Sequence, residues 1–258
     1  MSELVDRSIA ELRVQHDQLA GVVAGLTEAQ LKAPSGASEW TVADVLSHLG
    51  SGAEIGYYPV LAAATGTDAG APENQSVWDR WNALSPLDQA TQFVQSDARL
   101  VELYEGLSAE QRESVQIDLG FLPQPVPLAT ALGMRLNEQT LHSWDARVGV
   151  DPSAAVPEVA AELVLQHYAE TMTFLLGFVG KAEQAGPARV ALGDFTIVLD
   201  ESVRLEPGTD GATATFEGPI EAGLRLIAGR LGPQHTPAAV SVSGNVTLDQ
   251  LRKAFPGY

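Results

Sequence analysis

Apolar residues recur with a helical period through roughly the first 180 residues, and near residue 185 they switch to strict alternation. Between residues 2 and 25, Leu4, Ile9, Leu12, Leu19, Val22 and Val23 follow helical spacing. Further on, Phe195, Ile197 and Leu199, then Val203 and Leu205, occupy every second position. A pattern built for one period does not fit the other element, because the apolar set would leave its face. The chain therefore reads as long helices followed by a small α+β unit, an α+β two-domain protein. The stretch "GKAEQAGP", 180–187, is rich in glycine, proline and charge and marks the boundary. The expected domains are 1–180 and 181–258. With 258 residues, 45% of them hydrophobic, the chain can bury a core in each.

Start signals divide the helical part. Thr41 with Asp44 three residues on forms a capping box ahead of "VADVLSHLGSGAEIGYYPVLAAA". Ser85 and Pro86 give the N-cap and first-turn pattern of another long helix. Between them "GTDAGAPENQS", 66–76, is a loop. A short extended stretch, "SVQIDLG", and a proline-rich loop precede a fourth long helix at 127–149, and "DPSAAVPEVAAELVLQHYAETMTFLLGFVG" makes a fifth. An up-and-down-like bundle is expected from these helices. The second part adds a strand at "TATFEG", a helix at 219–230, a strand at "AVSVSG" and a last helix at "TLDQLRKAF".

Composition removes several classes of function. The formal net charge is −18, a field that repels phosphate backbones and anionic lipid surfaces. Nucleic acid and membrane partners are therefore not expected, and no apolar run approaches the ~20 residues of a membrane helix. The opening "MSELVDRSIAELRVQ" has no basic start or apolar stretch of a signal peptide, which reads as a cytoplasmic protein, expected as a monomer or weak dimer. The chain contains no cysteine. Any metal must be held by His, Asp or Glu, and any thiol chemistry must use a thiol from outside.

The candidate site lies in "RLNEQTLHSWDAR", 135–147. Glu138 and His142 are four residues apart, so their side chains leave one helical face about 40° apart. Arg135, Asp145 and Ala146 lie within roughly 60° of His142. This polar stripe is bordered by Leu132, Leu136 and Val150 on one side and by Met134, Leu141 and Val148 on the other. A solvated face is not bordered by apolar ridges on both edges. A stripe of this kind suits a bundle interior, where metal sites are built from facing helices. A catalytic metal takes about three protein ligands and an open position, and His48, in "VLSHLGSGAEI", is the best third ligand from another helix. Gly52, one turn on, leaves room beside it. His16, His167 and His235 have no acidic partner at ligand spacing on a comparable stripe and read as structural or superficial. The spacing by itself leaves an ordinary polar face open.

"SEWTVADVLSHLGSGAEI", followed about ninety residues later by "RLNEQTLHSWDARVG", resembles the mycothiol-dependent maleylpyruvate isomerase family, a branch of the DinB-like four-helix bundles. "EAGLRLIAGR" followed by "VSVSGNVTLDQLRKAFPG" resembles the small second domain of that family, so the likeness spans nearly the whole chain. The resemblance implies an N-terminal DinB-like four-helix bundle and a small SCP2-like α+β C-terminal domain. It implies zinc or another divalent metal held by His48, Glu138 and His142, with mycothiol as cosubstrate. It assigns a catalytic arginine of the small domain to Arg230, with Arg225 as fallback. Asp145 is then either a partner that orients a ligand histidine or a surface acid. Arg135, a substrate-binding candidate, either meets a carboxylate or pairs with Glu138 three residues on.

The reading that follows is a zinc-dependent enzyme that activates the thiolate for addition to an electrophilic small molecule. It is either a cis–trans isomerase or an S-transferase. Its active site is expected between the domains, with Arg230 holding the electrophile's carboxylate. Two other classes stay open: a non-catalytic metal-binding stress-response protein of DinB type, and a metal-dependent hydrolase.

Overall fold

The structure, a computed structural model, describes residues 2–257. Its contacts divide the chain into two compact units between Ala154 and Ala155. The first contains helices α1 (Ser2–Val23), α2 (Glu28–Leu31), α3 (Val42–Thr65), α4 (Asn74–Asn82), α5 (Pro86–Glu105) and α6 (Ala109–Ser114). The short antiparallel pair β1 (Gln116–Ile117) and β2 (Val126–Pro127) then leads into α7 (Leu128–Val148).

The local signals act as the sequence predicts. Thr41 and Asp44 cap α3 reciprocally, and Ser85 accepts from the Asp88 amide with Pro86 in the first turn of α5. Helix α4 was not foreseen, and the expected loop 66–76 runs into its first turn. Its short apolar pattern, Val77 and Trp81, gives only one contact per turn. Trp81 is nevertheless fully buried against Gly50, where a Cβ would lie 2.2 Å from the indole ring. Only glycine admits so close an approach here.

The four long helices form a bundle in which α3 packs on α5 and α7, and α1 packs on the same two. Helix α1 is therefore diagonal to α3, its successor among the long helices, unlike an up-and-down order in which successive helices are neighbours. The connection at 24–41 carries α2, which rests on α3 and α5, and is long enough to cross the bundle. Leu19, Leu31, Val45, Leu46, Leu49, Trp81 and Phe93 close one core cluster, with Ala146 of α7 at its edge. Each such leucine or valine, fully buried, contributes about 1.5–3 kcal/mol.

The second unit contains α8 (Glu158–Glu170), α9 (Leu175–Val179), β3 (Ala188–Leu192), β4 (Phe195–Leu199), β5 (Val203–Pro207), β6 (Ala214–Glu217), α10 (Ile220–Ile227), β7 (Ser241–Gly244) and α11 (Leu248–Ala254). The five strands form one sheet in the order β5-β4-β3-β6-β7. The pair β3–β6 is parallel and the other pairs are antiparallel. The fold is α+β, a helical unit followed by a sheet unit.

The boundary differs from the one expected at residue 180. The fifth helix splits at Thr171 and Met172, whose amides both donate to the His167 carbonyl (2.9 and 2.7 Å). Both pieces, α8 and α9, pack on β5, and α8 also packs on α10. Helical period reports that a segment has an apolar face, and it does not report which partner that face covers. No helix among the described residues is long and apolar enough to cross a membrane.

Candidate metal centre

Helices α3 and α7 pack directly on each other. The α3 cap fixes where that helix begins, and His48 follows two turns later. Helix α7 is buried on most of its circumference: Leu132, Leu136, Leu141 and Trp144 lie in the core, as do Thr140 and Asp145. Most of the apolar residues flanking the polar stripe are thus packed, and the stripe faces α3 with Glu138 and His142 half-buried.

The stripe meets α3 at His48. Its Nε2 lies 2.9 Å from Glu138 Oε2, and His142 Nε2 lies 3.5 Å from the same oxygen. One ligand atom from each of His48, Glu138 and His142 falls within 4.8 Å of the others. Ligands about 2.0–2.1 Å from a tetrahedral zinc stand roughly 3.3 Å apart, so the donor set needs only small adjustments around such an ion. Two imidazoles and one carboxylate are also the donor chemistry that zinc takes.

Behind the site, His142 Nδ1 lies 2.9 Å from Asp145 Oδ2. Asp145 is fully buried, so it is not a surface acid. With Nδ1 held against Asp145, the imidazole turns its Nε2 edge toward Glu138. The local charges reinforce one another. Burial pushes the Glu138 carboxyl up, but hydrogen bonds to His142 and His48, with their charge, outweigh it and hold it well below the usual carboxylate range. Burial pushes His142 down, but Asp145 and Glu138 outweigh it and hold the imidazole above its ordinary value. The cluster favours a positive charge beside Glu138, supplied by a proton here and equally by a divalent cation.

Of the two sequence readings of Arg135, the structure shows a carboxylate contact, made to another helix. Its Nη2 donates to Asp97 Oδ1 of α5 (2.6 Å) and to Gln139 Oε1 (3.0 Å), and both terminal nitrogens reach the Leu49 carbonyl (3.3 Å). The carboxylate it meets is that of Asp97, and no ion pair to Glu138 forms among the described residues. The same Asp97 lies 2.7 Å from His16 Nδ1 through its other oxygen. His16 therefore has an acidic partner after all, supplied by another helix. The sequence hint was Asp97 on a face otherwise made of Phe93, Leu100, Val101 and Tyr104. The Trp40 indole stacks on His142 (centroids 5.8 Å, 26°) and tilts over His48 (5.1 Å, 49°).

In the second unit, Arg225 is buried in a forked ion pair with Glu221, Nε to Oε2 at 2.7 Å and Nη2 to Oε1 at 2.8 Å. Arg230 is half-buried, and its Nη1 donates to the Ala228 carbonyl (3.1 Å).

The sequence model of the mycothiol maleylpyruvate isomerase N-terminal domain matches residues 12–147, which include His48, Glu138 and His142. The chain belongs to this family. Two solved structures share the family fold across both units: a crystal structure of the mycothiol-dependent maleylpyruvate isomerase, and one of its histidine-to-alanine mutant. Each aligns with a TM-score of 0.62 at 19% identity, covering 93% of this chain and 92% of that chain. Among curated proteins no sequence matches.

Proposed function

We propose that this family member is a zinc-dependent enzyme that takes mycothiol as cosubstrate and adds it to an electron-poor small molecule. The observation that carries this is the convergence of His48, Glu138 and His142 from two packed helices in a chain without cysteine. Those three residues hold the ion, and Asp145 fixes the tautomer and direction of His142. When bound, zinc supplies an electrophilic position at which a thiol, ordinarily protonated near neutral pH, is drawn to thiolate. The thiol sulfur bonds to one carbon of the double bond, leaving a single bond free to rotate. Elimination then returns the thiol and the isomerised product, whereas release of the adduct makes the same site a transferase. Arg230 is proposed to hold the carboxylate of the electrophile, since Arg225 is taken by Glu221.

A cobalt-loaded protein titrated with mycothiol tests the reading, and a sulfur-to-cobalt charge-transfer band is expected. His142→Ala should lose most of the roughly one zinc per chain while the fold persists. Full metal retention in His48→Ala, Glu138→Ala and His142→Ala alike would remove the site. Arg230→Ala should keep zinc and thiol binding and lower turnover of an anionic substrate about 10- to 150-fold, as loss of a charge-assisted hydrogen bond does. Unchanged kinetics would leave Arg230 without that role.

A further inference from the structure

The segment between α2 and α3 is a strap fastened at several points. Pro34 and Thr41 form an antiparallel bridge, the Val42 amide donates to the Ala33 carbonyl (3.0 Å), and the Ser35 amide to the Trp40 carbonyl (2.9 Å). The Gly36 amide donates to the Asp145 carbonyl (2.8 Å), which ties the strap to α7 three residues beyond His142. A Cβ at Gly36 would lie 2.7 Å from Val148 Cγ1 and 2.9 Å from Asp145 Oδ1, so no side chain fits between strap and helix. At the end of the strap Glu39 adopts φ 67°, the only non-glycine residue with positive φ among those described. Such strain persists only where the surroundings enforce it.

What the strap presents is Trp40. The indole lies across two imidazoles carried by different helices, yet the residue remains 37% exposed. A rigid, amphipathic ring held half-open beside a reactive centre is a surface prepared for a ligand.

We propose that Trp40 is a substrate-contacting residue: its exposed indole face is the wall against which the carbon framework of the incoming thiol packs, and the strap holds it there. This rests on the thiol reading of the site given above. It assigns to Trp40 the discrimination between a large thiol and a small one, and leaves metal binding to His48, Glu138 and His142.

The test uses the full chain loaded with cobalt and titrates the charge-transfer band with mycothiol and, separately, with 2-mercaptoethanol. Trp40→Ala should bind metal as the wild type does and keep its 2-mercaptoethanol midpoint. Its mycothiol midpoint should rise about 10-fold, and Trp40→Phe should recover most of that loss. Equal midpoints with wild type for both thiols would overturn the proposal. So would equal weakening for both, or loss of metal, because each would make Trp40 a support for the histidines. If Trp40→Ala does not fold, an unchanged ratio of the two midpoints in Trp40→Phe and Trp40→Leu would overturn it equally. Absence of the band with either thiol in the wild type is a separate outcome, in which the thiol reading itself falls and this proposal with it.

Discussion

Asp145 is fully buried, and its Oδ2 accepts a hydrogen bond from His142 Nδ1. Removing that acceptor frees the ring to rotate and to protonate on either nitrogen, although all three candidate ligands remain. Partners of this kind affect metal affinity by about 10- to 100-fold. Asp145→Ala should therefore keep the stoichiometry of zinc but weaken it by that factor in a chelator competition, with Asp145→Asn falling between. Affinity unchanged in Asp145→Ala would show that packing alone orients His142. Glu138 and His142 were legible as a candidate pair because they belong to one helix, where spacing fixes direction. Asp145 was half-legible, since the helix wheel put it on the same stripe but could not say whether water or α3 and the strap lay outside it.

Asp97 joins three helices. It receives Arg135 from α7 and His16 from α1, and Arg135 extends the link to the Leu49 carbonyl of α3, one residue after His48. Burial pushes the Asp97 carboxyl up, but Arg135 and His16 outweigh it and hold it below the usual carboxylate range. Losing one partner of a buried pair leaves the other charge without compensation, which costs about 3–5 kcal/mol. Asp97→Ala should lower the stability of the bundle by that amount in denaturant unfolding, and Asp97→Ala combined with Arg135→Met should recover part of it. A loss below about 1 kcal/mol would mean that water reaches the pair. Individual helices were readable from their caps and period. The network was not, because its members lie 81 and 38 residues apart in sequence and no local rule pairs them.

Stability of the whole molecule should also carry a pH signature from the second unit. His167 is fully buried in α8, its Nδ1 lying 2.7 Å from Thr171 Oγ1, and burial pushes it down to about 4. In the unfolded chain a histidine titrates near 6.5. Between those values the unfolded state binds the proton and the folded state does not, so stability rises with pH across this window. The contribution is fully present above about 6.5 and is lost as pH falls toward 4, amounting to roughly 3 kcal/mol at about 1.4 kcal/mol per unit. Comparing unfolding of wild type and His167→Gln at pH 7 and pH 4.5 measures it. The variant should lose less stability than the wild type on acidification, and parallel pH curves would show that His167 is not kept neutral by the fold.

The order of the four long bundle helices, the change from helices to sheet and the pair Glu138–His142 were determined by the sequence alone. Each rests on periods and caps that act within a few residues. Tertiary structure decided that α1 lies diagonal to α3, since a ring of four amphipathic helices has several closures and only the packed faces choose among them. It also decided that α8 and α9 join the sheet, that His48 meets Glu138, that Arg135 turns to Asp97, and that a strained strap carries Trp40 over the two histidines. Those outcomes depend on which apolar faces and buried charges find each other across the chain, a free-energy balance of packing and desolvation that no window of sequence contains.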